Sequence, residues 1–167
     1  MKTSLYKTIT LFSIIFLCQG CFFFIGSPAP EPEPQYRPVY MSRNELDQSV
    51  RFQAARSLSK PGKIYTYGQY ILVNERYKGI HVIDNQNPSN PVNIGFINIP
   101  GNIDMAIRNN VLYADNAVDL VTMNIGNWEN IQVFHRRKDA FPTLEPPDRM
   151  WDHYDASKGI VVEWIKK

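Results

Sequence analysis

The stretch GQYILVNERYKGIHVIDNQNPSNP, residues 68–91, decides the fold. Within it, residues 70–74 and 79–84 are rich in Ile, Val and Tyr and are bounded by turn residues, which predicts two β-strands. Residues 85–91 predict a turn, because Asn tolerates positive φ and Pro presets its own φ. Flanking segments 63–67 and 92–99 show the same pattern, so the region predicts four short consecutive strands.

The pattern of the deciding stretch occurs a second time further along the chain. The matched segments are 70–74 (YILVN) with 111–115 (VLYAD), 80–84 (IHVID) with 120–124 (LVTMN), and the turn 68–69 with 109–110. Four short strands in a repeat of about 40–45 residues are typical of a β-propeller blade. No stretch after residue 60 shows helical periodicity. We therefore expect an all-β fold of antiparallel, four-stranded, blade-like repeats.

Residues 80–84, followed by the turn NPSNP, resemble the LVIVD repeat of bacterial cell-surface propeller proteins. The resemblance is close over 61–124, through PGKIY, GIHVIDN, NPSNP, IPGN, LYADN and DLV, and weaker at 131–135, 141–142 and 159–164. It implies a β-propeller lipoprotein and says almost nothing about activity. About two repeats fit the chain, whereas a closed propeller has typically 4–8 blades. We therefore expect a partial propeller, either truncated or short and self-associating, with Ile80, Val82 and Leu120 on uncovered faces.

The first residues of the chain predict export and membrane anchoring. Lys2 and Lys7 precede an apolar run over 9–18, and Gly20-Cys21 after it resembles a lipoprotein signal, in which the cysteine is acylated after cleavage. The resemblance assigns the lipid to Cys21. The alternative is an uncleaved anchor over 9–26, which is just long enough to span a membrane. Both place the folded part outside the cytoplasm, at the outer membrane or cell surface.

The remaining local patterns complete a predicted division of the chain. Alternating prolines from 28 to 34 predict an extended spacer, Ser42 and Glu45 predict a capping box that begins a short helix, and a strand is expected near 49–56. The predicted segments are the signal peptide 1–20, the lipidated N-terminus and Pro-rich linker 21–41, the helical turn and lead-in strand 42–62, the first repeat 63–102, the second repeat 103–138, and a loop with a C-terminal strand 139–167.

Composition excludes several kinds of chemistry. The only cysteines are Cys18 and Cys21, so the folded part has no disulfide, thiolate nucleophile or cysteine-bound zinc. Lys2 and Lys7 account for the whole formal net charge of +2. The balanced remainder argues against nucleic-acid binding, which needs a basic surface. The basic cluster 136–138 beside Asp139 is interpreted as a solvated turn.

Three groups of side chains are candidates for a site. Asp104, Asp115 and Asp119 are of the type that binds a hard cation, but the spacing of a calcium loop is missing, so no metal or cofactor is expected. His153 lies between carboxylates in a loop that has no accompanying nucleophile. His81 alternates with apolar neighbours and is expected to be structural. The candidate ligand surface consists of Trp128, Trp151, His153, Tyr154 and Asp155, with the core as the alternative place for such aromatic side chains.

The absence of a catalytic set favours a non-enzymatic interaction or scaffold module. Its expected partners are the membrane, through the N-terminal lipid or anchor, and proteins, including a second copy of the chain. The alternative is a fragment of a propeller enzyme, hydrolase-like, whose active site lies in blades outside this chain. Fold alone does not decide between the two, since propellers carry unrelated activities.

Overall fold

The computed structural model describes residues 31–167, and this part of the chain is mostly β-sheet. Strands make up 46% and helices 7%, in antiparallel sheets of which none is closed, so the all-β prediction is confirmed. The predicted signal peptide, Cys21 and most of the predicted spacer lie outside the described residues. Within residues 31–167 no helix has the length and apolar character needed to cross a membrane.

Eleven strands and one short α-helix follow one another along the described chain. They are β1 Tyr36–Met41, α1 Arg43–Asp47, β2 Arg51–Gln53, β3 Pro61–Tyr67, β4 Tyr70–Glu75, β5 Gly79–Asp84, β6 Val92–Asn98, β7 Met105–Arg108, β8 Val111–Asn116, β9 Asp119–Asn124, β10 Val133–Arg137 and β11 Ile160–Lys166. Two 3₁₀ turns, Trp128–Asn130 and Ala156–Lys158, are the only other helical pieces in this part.

Two of the three sheets correspond to the repeat in the sequence. The first sheet has the strand order β2-β6-β5-β4-β3 and the second has the order β10-β9-β8-β7. The strands predicted at 63–67, 70–74, 79–84 and 92–99 are confirmed as β3 to β6. Asn109 and Asn110 both have positive φ, at 50° and 60°, as a two-residue type I′ hairpin turn requires. Gly68 has a φ of 57° at the matching turn.

The strand β1 corrects the prediction of a linker over 21–41. Tyr36–Met41 pairs antiparallel with β11, in a register that sets Tyr36 opposite Lys166 and Met41 opposite Ile160. Pro38 lacks a backbone donor, but a two-stranded ribbon has open edges and tolerates it. The capping box is confirmed, since the Ser42 side chain accepts from the Glu45 amide and Glu45 accepts from the Ser42 amide. The expected strand near 49–56 is the shorter β2.

Residues at equivalent positions of the two repeats face in different directions: those of the first sheet face the packed core, and those of the second sheet face away from it. Leu72 pairs with Val82 in the first sheet, and the matching pair in the second sheet is Tyr113 with Thr122. Leu72 and Val82 belong to the main core, whereas Tyr113 does not. The second sheet contributes its other side, and the core residues there include Leu112, Ala114, Val121 and Met123. We call the two packed sides the inner faces and the opposite sides the outer faces.

Packing of the two inner faces overturns one expectation. Ile80 and Val82 were expected on an uncovered face, yet both have an exposed fraction of 0%. They are buried because the inner face of the second sheet covers them within one cluster. Leu120, the equivalent of Ile80, is only half-buried and lies on the outer face of the second sheet. The prediction was therefore wrong for the first sheet.

Candidate functional site

A groove lies on the outer face of the second sheet. Its first part is a cavity of about 280 Å³. The residues that line it come from β3, β7 with the residue before it, β8, β9 and the segment after β10, and they are Tyr65, Asp104, Met105, Ala106, Tyr113, Ala114, Asp115, Leu120 and Phe141. Met105 and Ala114 also belong to the main core, so the groove reaches the inner side at this point. Aromatic and aliphatic groups thus surround two carboxylates, a combination typical of ligand sites.

A second cavity of about 330 Å³ adjoins the first and shares Asp115 and Phe141 with it. Its lining adds Arg76, Tyr77, Ile103, Ala117, Pro142, Thr143, Leu144 and Glu145. We call the two cavities together the outer groove. Phe141, with 41% of its surface exposed, lines both parts of the groove.

The segment over 141–145 is held in place by contacts with two different elements. The Phe141 amide donates to the Val118 carbonyl at 2.9 Å, which ties the segment to the β8–β9 turn. The Trp164 indole Nε1 donates to the Leu144 carbonyl at 2.9 Å, and Leu144 packs with Tyr77 and Trp164 in a second core cluster. The β1–β11 ribbon therefore positions one wall of the outer groove.

Asp115 is the partly buried carboxylate shared by both cavities. Its Oδ1 accepts from the amides of Ile103 at 2.9 Å and Asp104 at 3.0 Å, and from Asn102 Nδ2 at 2.7 Å. Burial raises the pKa of Asp115 above its usual value, despite these hydrogen bonds, and the nearby charge of Asp104 acts in the same direction. The hydrogen-bond donors to its Oδ1 are therefore amide groups and not cationic side chains.

Asp104 borders the same groove in a different electrostatic environment. Its side chain contacts the Lys63 ammonium, and its Oδ1 accepts from the Met105 amide at 2.8 Å. Burial opposes ionisation, but the bonds from Lys63 and Met105 outweigh it and lower the pKa of Asp104. Asp104 is thus paired with a lysine, whereas Asp115 Oδ1 accepts from amide groups.

Asp119 does not join the other two aspartates. It is fully buried, and its carboxylate accepts from Arg43 Nη1 at 2.7 and 2.8 Å, from Arg136 Nη1 at 2.8 Å and from the Asp139 amide at 3.0 Å. Burial opposes ionisation of Asp119, but these bonds outweigh it and lower its pKa. Within residues 31–167 no group of three or more His, Cys, Asp or Glu side chains can hold a metal ion.

The basic cluster 136–138 is therefore not a solvated turn throughout. The Arg136 side chain is only 11% exposed and joins α1 to β9 through Asp119 and the Leu46 carbonyl. Arg136 also donates to Asn116 Oδ1 at 2.7 Å. The interpretation was wrong for Arg136 because its buried acceptors are distant in sequence.

Tyr77 contributes an unusual polar group beside the outer groove. The residue is buried and has a positive φ of 67°, and its hydroxyl has no hydrogen-bond partner among the described residues. An unpaired buried hydroxyl is costly unless water or a ligand bonds to it. Tyr77 also lines the larger cavity, so this unpaired hydroxyl belongs to a wall residue of the outer groove.

The structure brings together four of the five residues of the candidate ligand surface. The Trp151 ring contacts the Tyr154 ring edge-on, with 5.2 Å between the ring centroids. The Tyr40 hydroxyl donates to the His153 carbonyl and accepts from the Asp155 amide. Lys167 Nζ lies 2.6 Å from His153 Nε2. The Asp155 carboxylate accepts from the Ser157 amide. Trp128 is elsewhere, buried in the main core against Tyr70 at 5.1 Å.

A buried polar cluster on the outer face of the first sheet was not predicted. Glu75 Oε2 lies 2.8 Å from His81 Nε2 and accepts from Arg56 Nη2 at 2.9 Å, while Glu75 Oε1 accepts from the Ser59 hydroxyl at 2.6 Å. The Arg56 guanidinium lies 3.6 Å from the Phe96 ring centroid. The partners come from separate segments with no common spacing, and the sequence pattern indicated only that His81 is structural.

The order of groups in this cluster does not suit nucleophilic catalysis. In a hydrolase triad the imidazole lies between the hydroxyl and the acid, so that it can remove the hydroxyl proton. Here the carboxylate of Glu75 lies in the middle, and both Ser59 and His81 bond to it. The cluster therefore acts as a polar cap on the first sheet.

Comparison of the chain with protein-family models, with curated proteins and with solved structures finds no match. The assignment of a class therefore rests on the fold and the groove. They define an all-β protein of open antiparallel sheets with a groove on the second sheet.

Proposed function

We propose that this chain is an exported, membrane-anchored interaction module, a partial propeller of the LVIVD-repeat type, which binds a partner protein through the outer groove. The anchor is the lipid on Cys21 or an uncleaved N-terminal segment. The lipoprotein-like start of the sequence supports export, and the matched strand order of the two sheets supports the repeat.

The inversion of the two faces is the observation that carries this proposal. In the first sheet, Ile80 and its neighbours pack against another four-stranded sheet. Their equivalents in the second sheet, Tyr113 and Leu120, line a cavity instead. Repeats that stack head to tail use opposite faces for their two neighbours. The outer groove thus occupies the place of a neighbouring sheet and suits a partner with a similar surface.

The lining of the groove indicates the chemistry of that partner. Tyr113, Leu120 and Phe141 provide apolar contacts, and burying aromatic groups is a main source of interface affinity. Asp115 adds a carboxylate whose hydrogen-bond partners are amides. A partner that presents an apolar β-sheet face with a lysine or arginine side chain opposite Asp115 fits both features.

Site-specific photo-cross-linking in the cells that make the protein tests the proposal. p-Benzoylphenylalanine replaces Tyr113 in the full chain, and a matched control carries it at Thr66, which is exposed on the first sheet. We expect a discrete cross-linked protein from position 113 and none from position 66. Equal adducts from both positions, or none from position 113, would reject the groove as the binding surface.

The anchoring part of the proposal has its own test. Cys21→Ser should prevent labelling by radioactive fatty acid and leave the precursor uncleaved. Each buried CH₂ of an acyl chain contributes about 0.8 kcal/mol, so loss of the lipid should also release protein that lacks another anchor. Label in the variant, or none in the wild type, would rule out lipidation at Cys21.

A further inference from the structure

The second sheet has another cavity, which we call the amide cleft, where β9 passes into β10. Its volume is about 440 Å³. It is lined by Asn124, Gly126, Asn127, Asn130, Gln132 and Phe134, and it shares no lining residue with the outer groove. In the part of the chain whose side chains are described, the lining consists of four amide residues, a glycine and a phenylalanine, and primary amides suit a ligand that both donates and accepts hydrogen bonds.

Local hydrogen bonds orient the amide side chains of this cleft. Asn124 Oδ1 accepts from the Gly126 amide at 2.8 Å, which directs the Asn124 Nδ2 group away from that turn. Gln132 Nε2 donates to Asn130 Oδ1 at 3.2 Å. Since every primary amide has both donors and an acceptor, Asn124 and Asn130 retain N–H groups and Gln132 retains its oxygen for a ligand.

Phe134 adds an aromatic ring to the cleft because of a β-bulge. Val133 pairs with Met123 and His135 pairs with Thr122, so Phe134 is the extra residue between two adjacent positions of β9. Bulges redirect a side chain and are common next to binding sites. The Phe134 side chain is 61% exposed, which leaves an accessible ring beside polar amides.

We propose that the amide cleft binds a neutral saccharide. Sugar hydroxyls donate and accept hydrogen bonds, as the cleft amides do, and the C–H face of a pyranose ring can pack on Phe134. Polar groups that fix orientation together with an apolar surface are the two components of a small-molecule site, and the cleft has both in its amides and Phe134. An extended peptide offers one donor and one acceptor per residue at wider spacing, which matches the closely spaced amides less well.

Calorimetric titration of the full chain with maltotriose, cellotriose and chitotriose tests this proposal. We expect saturable binding of at least one trisaccharide, weakened about tenfold or more by Phe134→Ala and by Gln132→Ala, since a factor of ten corresponds to 1.4 kcal/mol. Phe134→Tyr should retain binding. Ile64→Ala is the control, because Ile64 is an apolar side chain of similar exposure, 64%, and lines neither the amide cleft nor the outer groove.

Three outcomes would overturn the saccharide site. They are the absence of binding to all three trisaccharides, binding that Phe134→Ala leaves unchanged, and saturable binding of an uncharged tetrapeptide with none of the sugars. Circular dichroism of each variant confirms that the fold is kept, as expected for side chains on the surface. Loss of partner cross-linking at Tyr113 would leave this result unaffected, so the two proposals fail independently.

Discussion

The two repeat sheets have the same order of four strands, but the outer face of the first sheet is covered and that of the second sheet is open. On the first sheet, the segment with Arg56 and Ser59 covers the outer face and bonds to Glu75, next to His81. On the second sheet, the outer face carries an open groove. Terminal repeats need a polar outer surface for solubility. The first sheet has such a polar cap, whereas the outer face of the second sheet is open and carries the apolar side chains of Tyr113, Leu120 and Phe141.

Single positions show the same divergence. Gly79 in the first sheet has a φ of 141°, and a Cβ there would lie 2.0 Å from the Ile97 carbonyl oxygen. Its equivalent in the second sheet is Asp119, which binds two arginines. Asn74 in the first sheet is matched by Asp115 in the second. The same strand arrangement therefore carries different features in the two sheets: a close backbone contact at Gly79, an ion cluster at Asp119 and a groove at Asp115.

The largest effect is expected from Asp119→Ala. The change leaves Arg43 and Arg136 without their shared buried carboxylate, and breaking a buried ion pair costs about 3–5 kcal/mol. Asp139→Asn is the control, since Asp139 also bonds to Arg43 but its side chain is 75% exposed, and Asn tolerates the positive φ of 51° at this position; we expect under about 1 kcal/mol there. Denaturant unfolding measures both, and equal costs would contradict the role given to Asp119.

The inversion of faces is tested by paired truncations at equivalent positions. Ile80→Ala creates a cavity in the fully buried core and should cost about 3 kcal/mol of unfolding free energy. Leu120→Ala removes a half-buried side chain from the outer groove and should cost about 1 kcal/mol or less. A larger cost at Leu120 than at Ile80 in chemical denaturation would show that the faces are assigned the wrong way round.

The polar cap is tested by Glu75→Gln. We expect the variant to lose about 2 kcal/mol of unfolding free energy at pH 7, because Ser59, His81 and Arg56 bond more weakly to a neutral amide than to a carboxylate. Burial opposes ionisation, but the bonds from Ser59, His81 and Arg56 outweigh it and lower the pKa of Glu75. The charged form therefore stabilises the fold above the usual glutamate pKa of about 4.3. Denaturant unfolding at several pH values should show that the difference in unfolding free energy between wild type and variant disappears as the pH falls through the lowered pKa of Glu75. A difference that stays constant with pH would contradict a stabilising role of the charged form.

The smallest effect is expected from Asp115→Asn, which gives the second sheet the residue that the first has at Asn74. Because the pKa of Asp115 is raised, its neutral form is favoured in the folded state, and ionisation near neutral pH is destabilising. The variant should be slightly more stable than the wild type at pH 7, with the gain disappearing as pH falls below the usual aspartate pKa. Thermal unfolding across pH measures this, and a loss of stability at pH 7 would contradict it.

Local patterns predicted the elements more successfully than their contacts. The capping box of Ser42 and Glu45 and the Asn109–Asn110 turn depend on neighbouring residues, and both are present. The strand β1 was interpreted as linker because its partner β11 lies at the far end of the described chain. Trp128 was grouped with the loop after residue 150 by residue type alone, whereas packing places it in the main core.

The sequence by itself determined the strands, the turns and their repetition, because these depend on side-chain branching, φ preferences and short spacings. Only the tertiary structure decided which face of each sheet is buried. The run Ile71-Leu72-Val73 is apolar on both sides of β4, so its periodicity does not distinguish an inner face from an outer one. That choice follows from the neighbour each sheet meets, and it places the outer groove on the second sheet and the polar cap on the first.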